Sequence, residues 1–437
     1  MTNSLDELKS GKLIGSKRLK LACGLSDFPE EIISLADTLE VLDLSGNKMS
    51  ELPDSIASLK KLKIIFFGNN SFTEFPKILA SCPALSMVGF KSNKIECVPE
   101  NAFPPLLRWL IPTDNNIKTL PKSIGECHLL QKCALAGNQI KGLPSEMANC
   151  TNLELLRLSA NALNSIPNWL FELPKLSWVA FSGNPAAHKV KVVNDLDFFD
   201  WDEFTVQELL GEGASGLIYK AIWNTKNKEV AIKVFKGDVT SDGLPDDEME
   251  VAVVAGAHGN LVPVLGKIEN HPQNKIGLIM ELIPPSYVNL GNPPSLVTCT
   301  RDTFSDDVVY TGKQLLKIAK SIASVCCHLH SKGINHGDLY SHNILLNSNS
   351  DCLLGDYGAA SFYDVDSDRA HCIERAEVRA FGCLLEDVLN VVDQSSFNDK
   401  FCSQSDNQWK GLIASCTTSD VNARVSFSEL LTQLNAF

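Results

Sequence analysis

The 437-residue chain has no apolar run approaching the roughly eighteen residues needed to cross a bilayer. Its opening stretch, MTNSLDELKSGKLIGSKRLK, holds no hydrophobic segment of the secretory kind. The fourteen cysteines form no Cys-x-x-Cys pair and no zinc-ligand spacing. That argues against a disulfide framework or a structural metal, and for reduced, mostly buried thiols. A basic stripe is also missing. Residues 1–203 carry 21 basic and 23 acidic side chains, residues 204–437 carry 18 and 29, and the net charge is −13. Such a surface suits neither nucleic acid nor anionic lipid, so no nucleic-acid or membrane partner is expected. These absences together predict an intracellular, cytoplasmic protein. What is present, 44% hydrophobic and 21% charged residues, is a globular composition, and the length predicts two or three domains.

A repeat fills the first half. LEVLDLSGNKMSELP is followed by LKIIFFGNNSFTEFP, LSMVGFKSNKIECVP, LRWLIPTDNNIKTLP, LQKCALAGNQIKGLP, LELLRLSANALNSIP and LSWVAFSGNP. The asparagines fall at Asn47, Asn70, Asn93, Asn115, Asn138, Asn161 and Asn184, at steps of 23 residues with a single 22. A weaker first copy, LKLACGLSDFP, has Cys23 in the asparagine's place. Leu39, Leu42 and Leu44 and their counterparts are expected to point inward from a short strand. The asparagine amide is expected to bond turn backbone that would otherwise be buried unpaired. One unit cannot bury its own apolar face, so neighbours must stack. The pattern resembles the leucine-rich repeat, which implies a curved α/β solenoid over residues 1–187. Ile64, Phe66, Arg108, Trp109, Ile111, Arg157 and Trp178 would lie on its concave face. Aromatics beside arginine there suggest a protein-docking surface, with packing inside the chain as the alternative.

The period is lost near Pro185. Residues 188–203 read as a linker or as a cap burying Phe198, Phe199 and Trp201. Beyond it, strand-like runs (EVAIKVF, IGLIMEL) alternate with helical ones (TGKQLLKIAKSIASVCCHLH), predicting an α+β domain over 204–437.

That domain holds four motifs. LLGEGASGLIYKAIW has Gly211, Gly213 and Gly216 in G-x-G-x-x-G form, a weak signal alone because dinucleotide sites share it. Here the glycines are followed by strand, turn and strand, and VAIK places Lys233 seventeen residues after the last glycine. HGDLYSHN and DYG come later, in that order. The set resembles the protein kinase signature over the whole second half, and the two-part chain resembles the leucine-rich-repeat kinases. The resemblance implies a two-lobed fold, ATP and magnesium as cofactors, and roles residue by residue. Gly211, Gly213 and Gly216 would admit phosphates to backbone N–H groups; Leu210, Ile218 and Ala231 would wall the adenine. Lys233 would hold the α- and β-phosphates, paired with Glu250, or with Glu248 as second choice. Met280 would be the gatekeeper, with Glu281 to Ile283 as the hinge. Asp338 would take or orient the proton of the acceptor hydroxyl. Asn343 and Asp356 would hold magnesium, and His336 would be structural.

The chain departs from the family at several points. Gly337 stands where many kinases have arginine. Tyr340 replaces the lysine or alanine two residues past the catalytic aspartate. Only 21 residues separate Asp356 from Glu377, which aligns with an aspartate that braces the catalytic loop, and no APE motif is present. Glu374 is a candidate substitute partner for Arg424. A segment with four prolines, PPSYVNLGNPPSLVTCTRDTF, follows the hinge without an evident ribose anchor. The expected function is an intracellular protein kinase acting on serine or threonine, with the repeats as docking scaffold. The alternative is a nucleotide-holding pseudokinase scaffold, and a third reading has the repeats regulate the domain in cis.

Overall fold

The computed structural model describes residues 2–190, 196–213, 215–236, 240, 242–398 and 405–437. Two compact units divide the chain: Met1–Leu173 with Asn184–Ala186, and Pro174–Gly183 with Ala187–Phe437.

The first unit begins with a short helix, α1 (Leu5–Lys9), whose first turn is closed by a Ser4–Glu7 capping box. Seven three-residue strands follow: β1 (Arg18–Lys20), β2 (Val41–Asp43), β3 (Ile64–Phe66), β4 (Met87–Gly89), β5 (Trp109–Ile111), β6 (Lys132–Ala134) and β7 (Leu155–Arg157). Each runs parallel to the next in chain order. The register aligns Leu42, Ile65, Val88, Leu110, Cys133 and Leu156 in one column, and all are buried. Each middle side chain thus completes a core that its own repeat could not.

After most strands a proline opens a 3₁₀ turn, as at Pro53, Pro76, Pro121, Pro144 and Pro167. The fixed proline φ suits such an entry. The turn then drops one apolar residue inward: Ile56, Leu79, Ile124, Met147 and Leu170 are all buried.

The asparagines form the ladder that the spacing predicts. Asn138 Nδ2 donates to the carbonyls of Pro112 and Leu135, each at 2.9 Å, and its Oδ1 accepts the Ile117 amide at 3.0 Å. Asn161 repeats the arrangement one step on, and one step further Asn184 donates to the Leu158 carbonyl and accepts the Leu163 amide. Each side chain ties its own turn to the preceding one.

Two of the expected docking residues are not available as surface. Arg157 is 3% exposed and Trp178 is 1% exposed. Trp178 belongs to the second unit, where a tyrosine ring covers it. Phe66, Trp109 and Ile111 remain half-buried on their strands, and Lys132 Nζ sits 4.4 Å over the Trp109 ring.

The second unit opens with β8 (Trp178–Ala180). Its larger sheet has six strands in the order β10, β11, β12, β14, β13, β9. These are β9 (Phe198–Asp200), β10 (Phe204–Glu212), β11 (Gly216–Trp223), β12 (Lys228–Phe235), β13 (Val264–Glu269) and β14 (Gly277–Glu281). Part of the expected linker is therefore an edge strand: Phe198–Asp200 pairs in parallel with β13, and Phe199 packs edge-on against Trp223. Phe198 is half exposed and does not cap the repeats by burial. Residues 191–195 of that segment lie outside the described residues.

Helix α2 (Pro245–Ala255) lies between β12 and β13 in sequence. The rest of the unit is mainly helical: α3 (Gly312–Ser331) packs on α4 (Ala370–Leu389) and α6 (Phe427–Ala436), and α4 packs on α5 (Asp406–Thr417). Small strands β15 (Val288–Asn289), β17 (Ile344–Leu346) and β18 (Cys352–Leu354) form one sheet; β16 (Ile334–Asn335) and β19 (Ser361–Phe362) form another. HGDLYSHN connects β16 to β17 and DYG lies between β18 and β19, so these two sheets frame both motifs.

Candidate active site

Antiparallel pairing of β10, β11, β12 and β14 sets out the first part of the site. Gly211 lies opposite Ile218, Ile218 opposite Lys233, and Ala231 opposite Met280. The glycine turn is closed by a hydrogen bond from the Gly213 amide to the Gly216 carbonyl at 3.0 Å. A Cβ on Gly216 would sit 2.7 Å from the Val234 carbonyl oxygen, so no side chain fits there. A Cβ on Gly211 or Gly213 would meet nothing within 4 Å, which leaves open space beside the turn. Leu210 is about half exposed, Ala231 is buried, and Glu281 is anchored by its amide to the Pro263 carbonyl.

Lys233 is buried and ion-paired with Glu248, and its Nζ lies 3.9 Å from Asp356 Oδ1. Burial works to lower the Lys233 pKa, but the charges of Glu248 and Asp356 outweigh it, so the ammonium is held above its ordinary value. The expectation of Glu250 as the partner is corrected. Glu248, Val251, Ala252 and Ala255 are the buried face of α2, at helical spacing i, i+3, i+4, i+7. Glu250, two residues on, points to the opposite side of the helix.

HGDLYSHN and DYG are brought together by the β17–β18 hairpin, in which Ile344 faces Leu354 and the Gly355 amide donates to the Asn343 carbonyl. Asn343 Nδ2 donates to the Asp338 carboxylate at 2.7 Å and to its carbonyl at 2.9 Å. Both bonds use the amide nitrogen, so Oδ1 is the atom that a cation could take. Asp356 has φ +58° and its side chain is about half exposed, with Oδ1 accepting the Gly358 amide. Desolvation in the cleft works against its charge; Lys233 and the Gly358 amide outweigh it and hold the carboxyl below its ordinary range.

His336 is fully buried and structural. Its Nδ1 accepts the Asp338 amide and its Nε2 faces the Gly355 carbonyl at 3.0 Å, which assigns the proton to Nε2. Glu377 is also fully buried. It accepts the His336 and Gly337 amides at 3.1 and 2.7 Å and pairs with His330 at 2.8 Å. Burial pushes its pKa up, but His330, His336 and the Gly337 amide prevail and the carboxyl stays below its ordinary value.

Glu374 does not meet Arg424. It accepts the Phe427 amide at 2.9 Å, at the start of α6, while the Arg424 guanidinium donates to the carbonyls of Pro174, Arg375 and Thr418.

Three relationships escaped the sequence. Tyr340 stacks on Trp178, and His342 pairs with Asp302 at 2.8 Å. Ser361 accepts two amides from Phe181 and Ser182. Their partners lie 40 to 180 residues away, and no local periodicity signals them.

The residues fit a nucleotide with a divalent cation. Among the described residues no cluster of three or more His, Cys, Asp or Glu side chains could cage a metal ion. Two oxygen donors, from Asp356 and Asn343, suit a hard cation that takes its other ligands from phosphates and water.

Residues 204–379 match the family model described as "Protein kinase domain", and residues 38–59 match "Leucine Rich Repeat". Curated relatives include "L-type lectin-domain containing receptor kinase V.7" of Arabidopsis thaliana, 30% identical over 171 residues, covering 38% of this chain and 24% of the relative. "Serine/threonine-protein kinase pakH" of Dictyostelium discoideum is 29% identical over 180 residues, 40% of this chain and 32% of the relative. "Protein-tyrosine kinase 6" of Homo sapiens is 26% identical over 215 residues, 44% of each chain. The chain spans less than half the length of these relatives.

Proposed function

We propose that this chain, which carries a protein kinase domain and a leucine-rich repeat, transfers the γ-phosphate of ATP to a protein hydroxyl, serine or threonine in preference to tyrosine. The observation that carries the reading is the joining of Lys233, Glu248 and Asp356 in one charged cluster beside an Asn343–Asp338 pair. Phosphoryl transfer asks a protein for positioning and charge neutralisation rather than covalent chemistry, and these groups are the means for both.

Magnesium–ATP supplies the phosphoryl group and neutralises its developing charge. Gly211, Gly213 and Gly216 keep side chains away from the phosphates, and Lys233 offers a charge fixed by Glu248. Leu210, Ile218, Ala231 and Met280 wall the base, with Glu281 to Ile283 as the hinge. Asn343 and Asp356 offer the metal its protein oxygens. Asp338, held by Asn343, orients the acceptor hydroxyl and receives its proton.

In this reading residues 1–187 are a leucine-rich-repeat solenoid, 188–203 a junction and 204–437 the kinase domain, at work in the cytoplasm. Phe66, Trp109 and Ile111 offer the docking surface for a protein partner. Similarity to serine/threonine kinases does not favour the pseudokinase scaffold.

The test uses the full chain with Mg–ATP and a panel of basic and acidic peptides. Asp338→Asn is expected to lose phosphate transfer while keeping the thermal stabilisation that Mg–ATP gives the wild type. Equal transfer by both proteins refutes the reading.

A further inference from the structure

Pro174–Gly183 is part of the second compact unit, and several of its contacts there fall on the HGDLYSHN loop and the turn after DYG. Trp178 lies against Tyr340 with ring centroids 4.5 Å apart and planes 7° from parallel, and its indole N–H donates to the Leu339 carbonyl at 3.0 Å. Asn335 Nδ2 donates to the Val179 carbonyl at 2.9 Å. The Phe181 and Ser182 amides donate to Ser361 Oγ, at 2.9 and 3.1 Å, just beyond DYG. Arg379 of α4 donates to the Lys175 carbonyl and to Ser177 Oγ. The Ser182 side chain is hydrogen-bonded to Asp247, the residue before Glu248 on α2.

These contacts bracket Asp338 on both sides. Gly337, with φ +71°, has no room for a Cβ, which would lie 2.6 Å from the Val179 and Ala359 carbonyl oxygens. Leu339 and Tyr340 are held by the Trp178 indole. Both departures, at 337 and 340, lie against this ten-residue segment, Gly337 together with the Ala359 carbonyl. The stretch between Asp356 and Glu377 is only 20 residues, and the same segment supplies contacts to the catalytic loop and to α2.

We infer that Pro174–Gly183 is a built-in brace that sets the catalytic loop through Trp178 and α2 through Ser182, so that transfer needs no separately ordered long activation segment. The inference rests on the kinase reading above. A plug would leave the site disassembled or sealed. Instead, with all the brace contacts made, Lys233 and Glu248 are paired, Asp356 lies beside Lys233, and Asp338 is only partly buried. Trp178 and Ser182 are positioning residues: they act through Leu339, Tyr340 and Asp247.

The experiment uses the full chain carrying Trp178→Phe, Trp178→Ala or Ser182→Ala, with Mg–ATP and an acceptor peptide. Amide hydrogen exchange over residues 335–343 is followed in parallel. Trp178→Phe keeps a ring and loses one hydrogen bond, so kcat is expected to fall about tenfold, the equivalent of one such bond, with KM for ATP unchanged. Trp178→Ala is expected to lower kcat by about 100-fold and to speed exchange over the loop, two such losses acting together. Ser182→Ala is expected to act on α2 and raise KM for ATP about threefold, a smaller effect for an indirect contact. Wild-type kcat and exchange in both Trp178 variants overturn the brace, and so does faster transfer, which would make the segment a block. If the wild type transfers no phosphate, the kinase reading fails instead. Loop exchange then still decides the brace: faster in Trp178→Ala upholds it, unchanged refutes it.

Discussion

The Glu377 carboxylate accepts the Gly337 amide at 2.7 Å while also holding the amide of His336 and the ring of His330. One buried charge thus fixes the backbone immediately before Asp338. Replacing Glu377 with alanine leaves those donors unsatisfied in a fully buried place and is expected to cost about 3–5 kcal/mol. Glu377→Gln, which keeps the shape, is expected to cost about 1.5–3 kcal/mol. Denaturant unfolding followed by tryptophan fluorescence measures both.

The same carboxylate sets a pH dependence. Its pKa in the folded protein is lowered from 4.5. A depressed folded pKa contributes stability that is complete above the unfolded value and is lost as pH falls through the folded one. Melting temperature is therefore expected to drop below about pH 4.5, and the drop is expected to be shallower in Glu377→Gln. Equal slopes in the two proteins contradict this role.

Glu248 and Glu250 separate by function. Glu248→Gln removes the charge partner of a buried lysine and is expected to lower kcat/KM on the order of 100-fold, with a raised KM for ATP. Glu250→Gln, on the other side of α2, is expected to stay within about twofold of the wild type, as surface substitutions do. Steady-state kinetics on the pair of variants reads the difference directly.

Gly337→Ala combines a left-handed backbone with two carbonyl oxygens at 2.6 Å and is expected to destabilise by about 2–4 kcal/mol. Gly337→Arg, which restores the commoner kinase residue, is expected to be worse. A melting temperature at the wild-type value in either variant contradicts the close approach seen here.

In the first unit, Asn138→Ala leaves the Ile117 amide without its acceptor and takes one of two donors from each of the Pro112 and Leu135 carbonyls, which keep Asn115 and Asn161. The expected cost is about 2–3 kcal/mol in unfolding free energy. Cys23, at the weak copy's equivalent position, is exposed, and Cys23→Ala is expected to be neutral.

Much of this was legible in the sequence because the signals are local. The asparagine step fixes the turn positions of the first unit, and the inward leucines follow from strand alternation. Lys233, Asp338, Asn343 and Asp356 stand in motifs of fixed spacing, and the folded chain brings Lys233 to Asp356 and Asn343 to Asp338. Helical phase alone places Glu248 with Val251, Ala252 and Ala255 on the buried face, whereas the spacing from helix to strand points to Glu250. The Trp178–Tyr340 stack, the Ser361 acceptor and the parallel β9–β13 pair were not readable. Each joins segments far apart in the chain, and a glycine or tyrosine in a loop does not announce what packs on it.

In the proposed function, Asp356 helps a divalent cation deliver the γ-phosphate to a protein hydroxyl. The most direct measurement incubates the 437-residue chain with magnesium and γ-labelled ATP and reads label on serine, threonine and tyrosine by mass spectrometry. The prediction is label on hydroxyl side chains that disappears on chelation and in Asp356→Asn. No label in the wild type, or equal label in Asp356→Asn, contradicts it.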